Sequence, residues 1–129
     1  MSGRIVHFEI PFDDGDRAHS FYEQAFGWSL NRIPDMGYTM VSTGPVSEEG
    51  IPTEPGFING GMLSLEYAPS SGPIVVIDVT DLDAALAKVV ELGAETVVER
   101  TEVGEMGWSA YFRDPEGNVM GLWQSANPG

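Results

Sequence analysis

The side chains able to do chemistry in this 129-residue chain are few, and two stand close together. In the run RIVHFEIPF, residues 4–12, His7 and Glu9 alternate with Phe8, Ile10 and Phe12. Residues two apart in a strand share a face, so an imidazole and a carboxylate lie side by side, opposite an apolar face. The imidazole titrates near neutrality and can orient a ligand or take a proton, and the carboxylate can serve as its acid–base partner or meet a cation. Glu66, at the end of a later strand, is a second carboxylate suited to the same role. An enclosed carboxylate–cation pair at about 4 Å gains up to roughly 4 kcal/mol before desolvation, whereas a pair at a wet rim gains about 0–1 kcal/mol. Burial therefore decides what these acids are worth. Tyr38, Met40, Met62, Trp108 and Trp123 lie on strand-like runs, with Ser64 beside Met62. They would line a slot for a flat or bulky ligand, or else fill the core or a contact between chains. His19 is expected to face solvent from the first helix.

Other chemistries find no support. With no cysteine there is neither a disulfide framework nor a thiolate zinc site. No phosphate-binding glycine loop, HExxH pair or nucleophile elbow is present, which argues against phosphoryl transfer and serine hydrolysis. Twenty acids against six bases leave a net charge of −14. That argues strongly against nucleic acid and anionic membranes as partners, because counterion release needs Lys and Arg, and it favours a cationic ligand or simply solubility. The amino terminus lacks the basic-then-apolar layout of a secretion signal. No apolar run approaches the roughly 20 residues that span a bilayer, so a cytoplasmic location is expected.

The elements that must position these residues come twice. After the first strand, Asp13 or Asp14 caps a helix carrying Ala18, Phe21, Tyr22, Ala25 and Phe26 at helical spacing, and Gly27 stops it. Strands follow over 28–33 and 38–43, joined by the turn Pro34-Asp35-Met36-Gly37. A Gly/Pro/Glu-rich loop over 44–60 leads to a fourth strand over 61–67, with Leu63 and Leu65 on its apolar side and Met62, Ser64 and Glu66 on its mixed side. The pattern restarts with a strand over 73–79, a helix capped by Asp81 and carrying Leu82, Ala85, Leu86, Val89 and Leu92, and Gly93 as its stop. Three strands close the chain over 95–101, 108–113 and 119–124, the last two joined by Asp114-Pro115-Glu116-Gly117-Asn118. One slide sets Ile74 under His7, Ile77 under Ile10, Asp81 under Asp14 and Ala85 under Ala18. Such a repeat of strand face, cap and helix face marks two copies of one β-α-β-β-β unit.

Three stretches, HFEIPFDDGDRAHSFYEQAFGW, PIVVIDVTDLDAALAKVVELGA and WSAYFRDPEGNVMGLWQ, resemble the glyoxalase/bleomycin-resistance/dioxygenase (vicinal oxygen chelate) superfamily over nearly the whole chain. The resemblance is nearest to its members related to lactoylglutathione lyase. It implies an α+β fold, two tandem βαβββ modules forming a curled mixed sheet with an open cleft, in one domain over 1–129 with modules near 4–67 and 73–124. It also implies a homodimer. Metal-dependent members place four ligands on the concave face; here those positions fall on His7 and near Ser64, Ile74 and Gly121, so only one of them is a ligand type. One imidazole holds a divalent metal too weakly for Lewis-acid chemistry, and no cofactor is expected. The preferred reading is an antibiotic-resistance type of protein that sequesters a bulky aromatic or cationic natural product through His7, Glu9, Tyr38, Met40, Met62, Ser64, Glu66, Trp108 and Trp123. The alternatives are a glyoxalase-like lyase or isomerase acting next to a carbonyl, with His7 as base and Glu9 as partner, and a scaffold without ligand.

Overall fold

The computed structural model describes residues 3–34 and 37–126. Asp35 and Met36 of the expected turn lie outside the described residues. The elements run β1 (Ile5–Phe12), α1 (Gly15–Phe26), β2 (Ser29–Ile33), β3 (Tyr38–Ser42), β4 (Asn59–Ser64), β5 (Ile74–Asp78), α2 (Leu82–Glu91), β6 (Glu95–Val103), β7 (Gly107–Arg113) and β8 (Val119–Ser125). They fall into two compact units, His7–Pro73 and Ile74–Gly129 together with Met1–Val6. The order strand, helix, three strands occurs in each, and the class is α+β.

In the first unit the strand order is β2-β3-β4-β1, with β1 parallel to β4 and the other neighbours antiparallel. A parallel pair needs a long crossover, which α1, β2 and β3 supply. The helix starts where the Asp14 side chain accepts the Arg17 N–H at 3.0 Å, a cap that contributes about 1 kcal/mol. It stops at Gly27, whose φ of 72° is left-handed and costs a glycine little. The second unit repeats the plan as β5-β8-β7-β6, with β5 parallel to β8 and Asp81 accepting from Ala84 N. Its core joins Val79, Leu82, Ala94, Ala110, Phe112 and Leu122, against which Ile77, Ala85, Leu86 and Val89 pack.

Four expectations are corrected. β4 covers Asn59–Ser64 and not 61–67, because Tyr67 N and Ala68 N both donate to Ser64 O and turn the chain. Leu92 is exposed beyond the end of α2. On α1, Phe21 and Phe26 are more than half exposed and form a surface aromatic group with Tyr22. The inward stripe is instead Gly15, Ala18, His19 and Tyr22, of which His19 is buried and the others half-buried, and it keeps the 3, 4, 7 spacing of one helical face. His19 is accordingly buried, at 6% exposure. Its Nε2 lies 3.0 Å from the buried Thr39 hydroxyl, and Phe12 meets its ring edge-on.

His19 Nδ1 is buried without a partner. Burial, then the charge of Arg32, lower the pKa of His19 from the ordinary 6.5, while Asp16 and Glu23 oppose the shift. As pH falls the unfolded chain binds this proton first, so the contribution to stability is full above 6.5 and is lost as pH drops toward the depressed value. The melting temperature is expected to fall between about pH 7.5 and about pH 5.5, and to fall less in His19→Gln. Parallel pH profiles for the two proteins in thermal denaturation would remove His19 as the cause.

Candidate functional site

The face of the first sheet away from α1 is set by register. His7 lies across from Asn59, Glu9 from Gly61 and Pro11 from Leu63. Tyr38 lies across from Leu63, and Met40 from Gly61. Residues paired in register share a face, so His7, Glu9, Tyr38, Met40, Asn59, Gly61 and Leu63 lie together. The opposite face holds Phe8, Met62 and Thr39, with Phe8 against Trp28 and Thr39 against His19.

On the open face three side chains form one hydrogen-bonded chain. His7 Nε2 is 2.7 Å from the Tyr38 hydroxyl, which donates to Glu9 Oε2 at 2.9 Å. The His7 and Tyr38 rings are nearly parallel, at 13°. Glu9 is 6% exposed, while His7 and Tyr38 are half-buried. Burial lowers the His7 pKa, and the charge of Glu9 offsets part of that shift, so the ring is neutral at pH 7. Tyr38 reaches Glu9 across Gly61: a Cβ at position 61 would overlap the phenol itself. Asn59 is a residue that sequence reasoning missed, because Ile58-Asn59-Gly60 reads as loop and only strand pairing sets it across from His7. Its Oδ1 accepts from Thr43 N at 2.9 Å, while its Nδ2 is buried without a protein partner.

The remaining expected residues go elsewhere. Met62 is fully buried and shares the helix-side face with Ile10, and Ser64 shares that face with Phe12. The expected parity of β4 is thus inverted, because the strand pairs Gly61, and not Met62, with Glu9. Glu66 is exposed in the turn after β4, its N–H donating to Ser64 Oγ. In the second unit Trp108 packs against the helix-side core with the Arg100 guanidinium 4.6 Å above its ring. Trp123 takes the other face, with Asp78 and Ser109 in register beside it.

The donor set does not fit the four-ligand metal pattern. Ile74 is buried hydrocarbon, Gly121 has no side chain and abuts Val76 and Tyr111, and Ser64 turns to the wrong face. By register the counterpart of Gly121 in β4 is Gly61, since each lies across from the third residue after His7 or Ile74 counted inclusively, Glu9 or Val76. His7 Nε2 is taken by Tyr38. Among the described residues no three His, Asp or Glu side chains converge on one point.

Two βαβββ modules, each a mixed sheet with one helix-covered face, define the glyoxalase/bleomycin-resistance class of fold. Similar solved structures include a Streptomyces coelicolor methylmalonyl-CoA epimerase in complex with 2-nitronate-propionyl-CoA, at TM-score 0.67 and 19% identity over 98% of this chain and 100% of that one. The Mycobacterium tuberculosis methylmalonyl-CoA epimerase is similar at TM-score 0.61 and 18% identity, over 98% of this chain and 90% of that one. A family model described as bleomycin resistance protein-like N-terminal matches residues 4–44. A glyoxylase-like domain-containing protein of Didymella fabae is 34% identical over 95% of this chain and 94% of its own length. A Mycobacterium tuberculosis protein named as a glyoxylase, CFP32, is 31% identical over 91% of this chain, which spans only 44% of that relative. The chain belongs to the glyoxalase/bleomycin-resistance (vicinal oxygen chelate) superfamily.

Because the Tyr38 ring occupies the space beside Gly61, Gly61→Ala should cost about 1–3 kcal/mol by overpacking. The same substitution in a Tyr38→Ala background should cost much less. Urea denaturation of the four proteins measures the coupling, and additive losses would show that the phenol and the glycine do not constrain each other.

Proposed function

We propose that the chain binds a small organic molecule bearing a positive charge and a bulky apolar part on the open face of its first module, and holds it without converting it. The observation that carries this reading is Glu9, a 6% exposed carboxylate on a sheet face it shares with the neutral His7 and with Tyr38, Met40 and Leu63. A fixed negative charge in low dielectric attracts a cation more strongly than the same charge at the surface. The net charge of −14 raises the local concentration of cations around it. Met40 is 38% exposed, and thioethers adapt to irregular apolar ligands. The bleomycin-resistance-like match over residues 4–44 takes in His7, Glu9, Tyr38 and Met40, which supports an antibiotic or similar natural product as the ligand class.

A second reading draws on the neutral state of His7: a half-buried, uncharged imidazole is a base for a proton next to a carbonyl, as in a glyoxalase-like isomerase. Turnover separates the two. Titration calorimetry against a panel of cationic aromatic antibiotics is expected to show saturation at fixed stoichiometry with the ligand recovered unchanged. Glu9→Gln should weaken that binding by about tenfold or more, which corresponds to the loss of about 1.4 kcal/mol. No binding across the panel would sink the capture reading, and consumption of a ligand would replace it with the enzymatic one.

A further inference from the structure

The hydrogen-bonded chain on β1 and β3 contains a proton count that decides more than its geometry alone. A phenol has one proton to give and lone pairs to accept with. The Tyr38 hydroxyl donates to Glu9 Oε2, and a carboxylate accepts only. At 2.7 Å His7 Nε2 is nevertheless within hydrogen-bond distance of that same oxygen. With the phenol proton given to Glu9, the bond closes only if His7 Nε2 carries a hydrogen and donates it. The ring is neutral because burial disfavours its charged form, so a hydrogen on Nε2 leaves Nδ1 with a lone pair.

We propose that Tyr38, oriented by Glu9, is a positioning residue that fixes His7 as its Nε2–H tautomer, so that His7 Nδ1 accepts an N–H from a ligand of the protonated-amine class. The ligand part rests on the binding reading above, and the tautomer part stands without it. Gly61 belongs to the same device, because any side chain there would occupy the place of the phenol. The phenol also covers the His7 nitrogen that, with the other donor positions lacking ligand types, would otherwise be open to a metal. A side-chain hydrogen bond thus sets the orientation and polarity of the imidazole in this module. An imidazole fixed in this way discriminates between cations: a primary or secondary ammonium satisfies Nδ1, and a quaternary ammonium has no hydrogen to offer it.

Long-range proton–nitrogen NMR of the ligand-free 129-residue chain reads the tautomer directly. Wild-type His7 is expected to show a protonated Nε2, slow enough in exchange for its proton to be seen, and an unprotonated Nδ1. Tyr38→Phe should lose the visible Nε2 proton. Glu9→Gln is the milder change and should do more: its amide brings donors of its own, so the hydroxyl can turn its proton onto Nε2 and the ring shifts toward Nδ1–H. A wild-type ring protonated on Nδ1, or a tautomer and exchange rate unchanged in both variants, would overturn the positioning role. Benzylammonium and benzyltrimethylammonium, which share ring and charge, then test the ligand class. The first is expected to bind about fivefold more tightly, the factor one net hydrogen bond supplies, and to shift the Nδ1 resonance. Equal affinities would overturn the N–H requirement. Binding of neither amine would sink the cation reading of this face, while the spectra of the free protein still decide the role of Tyr38.

Discussion

A carboxylate in the middle of a strand, almost out of water, must be met by hydrogen-bond donors or it destabilises the fold that buries it. Glu9 is such a group, at 6% exposure. One donor comes from β3, one strand beyond the neighbour of β1, and it reaches Glu9 because the intervening strand carries glycine at position 61. Once the phenol lies across that glycine, its oxygen also meets the His7 ring. Position 61 therefore couples three strands through an absence of side chain, and the chemistry of the face follows from how they pair.

The two modules share a backbone plan and divide their chemistry. Each begins with a strand whose alternate residues pack toward a helix, and each helix opens on an aspartate that caps its own first turn. Where the first module sets His7 and Glu9, the second sets Ile74 and Val76, both buried hydrocarbon. One copy of the repeat thus presents polar, titratable groups, and the other is apolar at the same positions. Membership of the superfamily accounts for the plan. A fold of this kind hosts binding proteins and enzymes alike, so function has to be argued from the residues on the open face.

The two histidines show how burial and position assign different roles to one side chain. His19, on a helix, is buried against Thr39 and Phe12 and has no polar outlet for its second nitrogen. His7, on a strand, is half-buried in a chain of polar groups beside a carboxylate. Burial lowers the pKa of both, but His19 meets a lone hydroxyl, whereas the hydroxyl that meets His7 is itself bonded to a carboxylate.

Local periodicity determined what the sequence could tell by itself: the two βαβββ repeats, the caps at Asp13 or Asp14 and at Asp81, the stop at Gly27, and the sharing of one face by His7 and Glu9. Each of these depends on neighbours a few residues apart, where alternation and helical spacing are set by backbone geometry. Tertiary structure alone decided the parity of β4, the side taken by Trp108, the burial of His19, and the meeting of Tyr38 with His7 and Glu9 from 31 and 29 residues away. A one-residue change in strand pairing exchanges the two faces of a strand, and two overlapping apolar stripes on a helix differ by a fraction of a turn. Register and helix rotation are chosen by packing between elements, and that choice is not written in the spacing within any one of them.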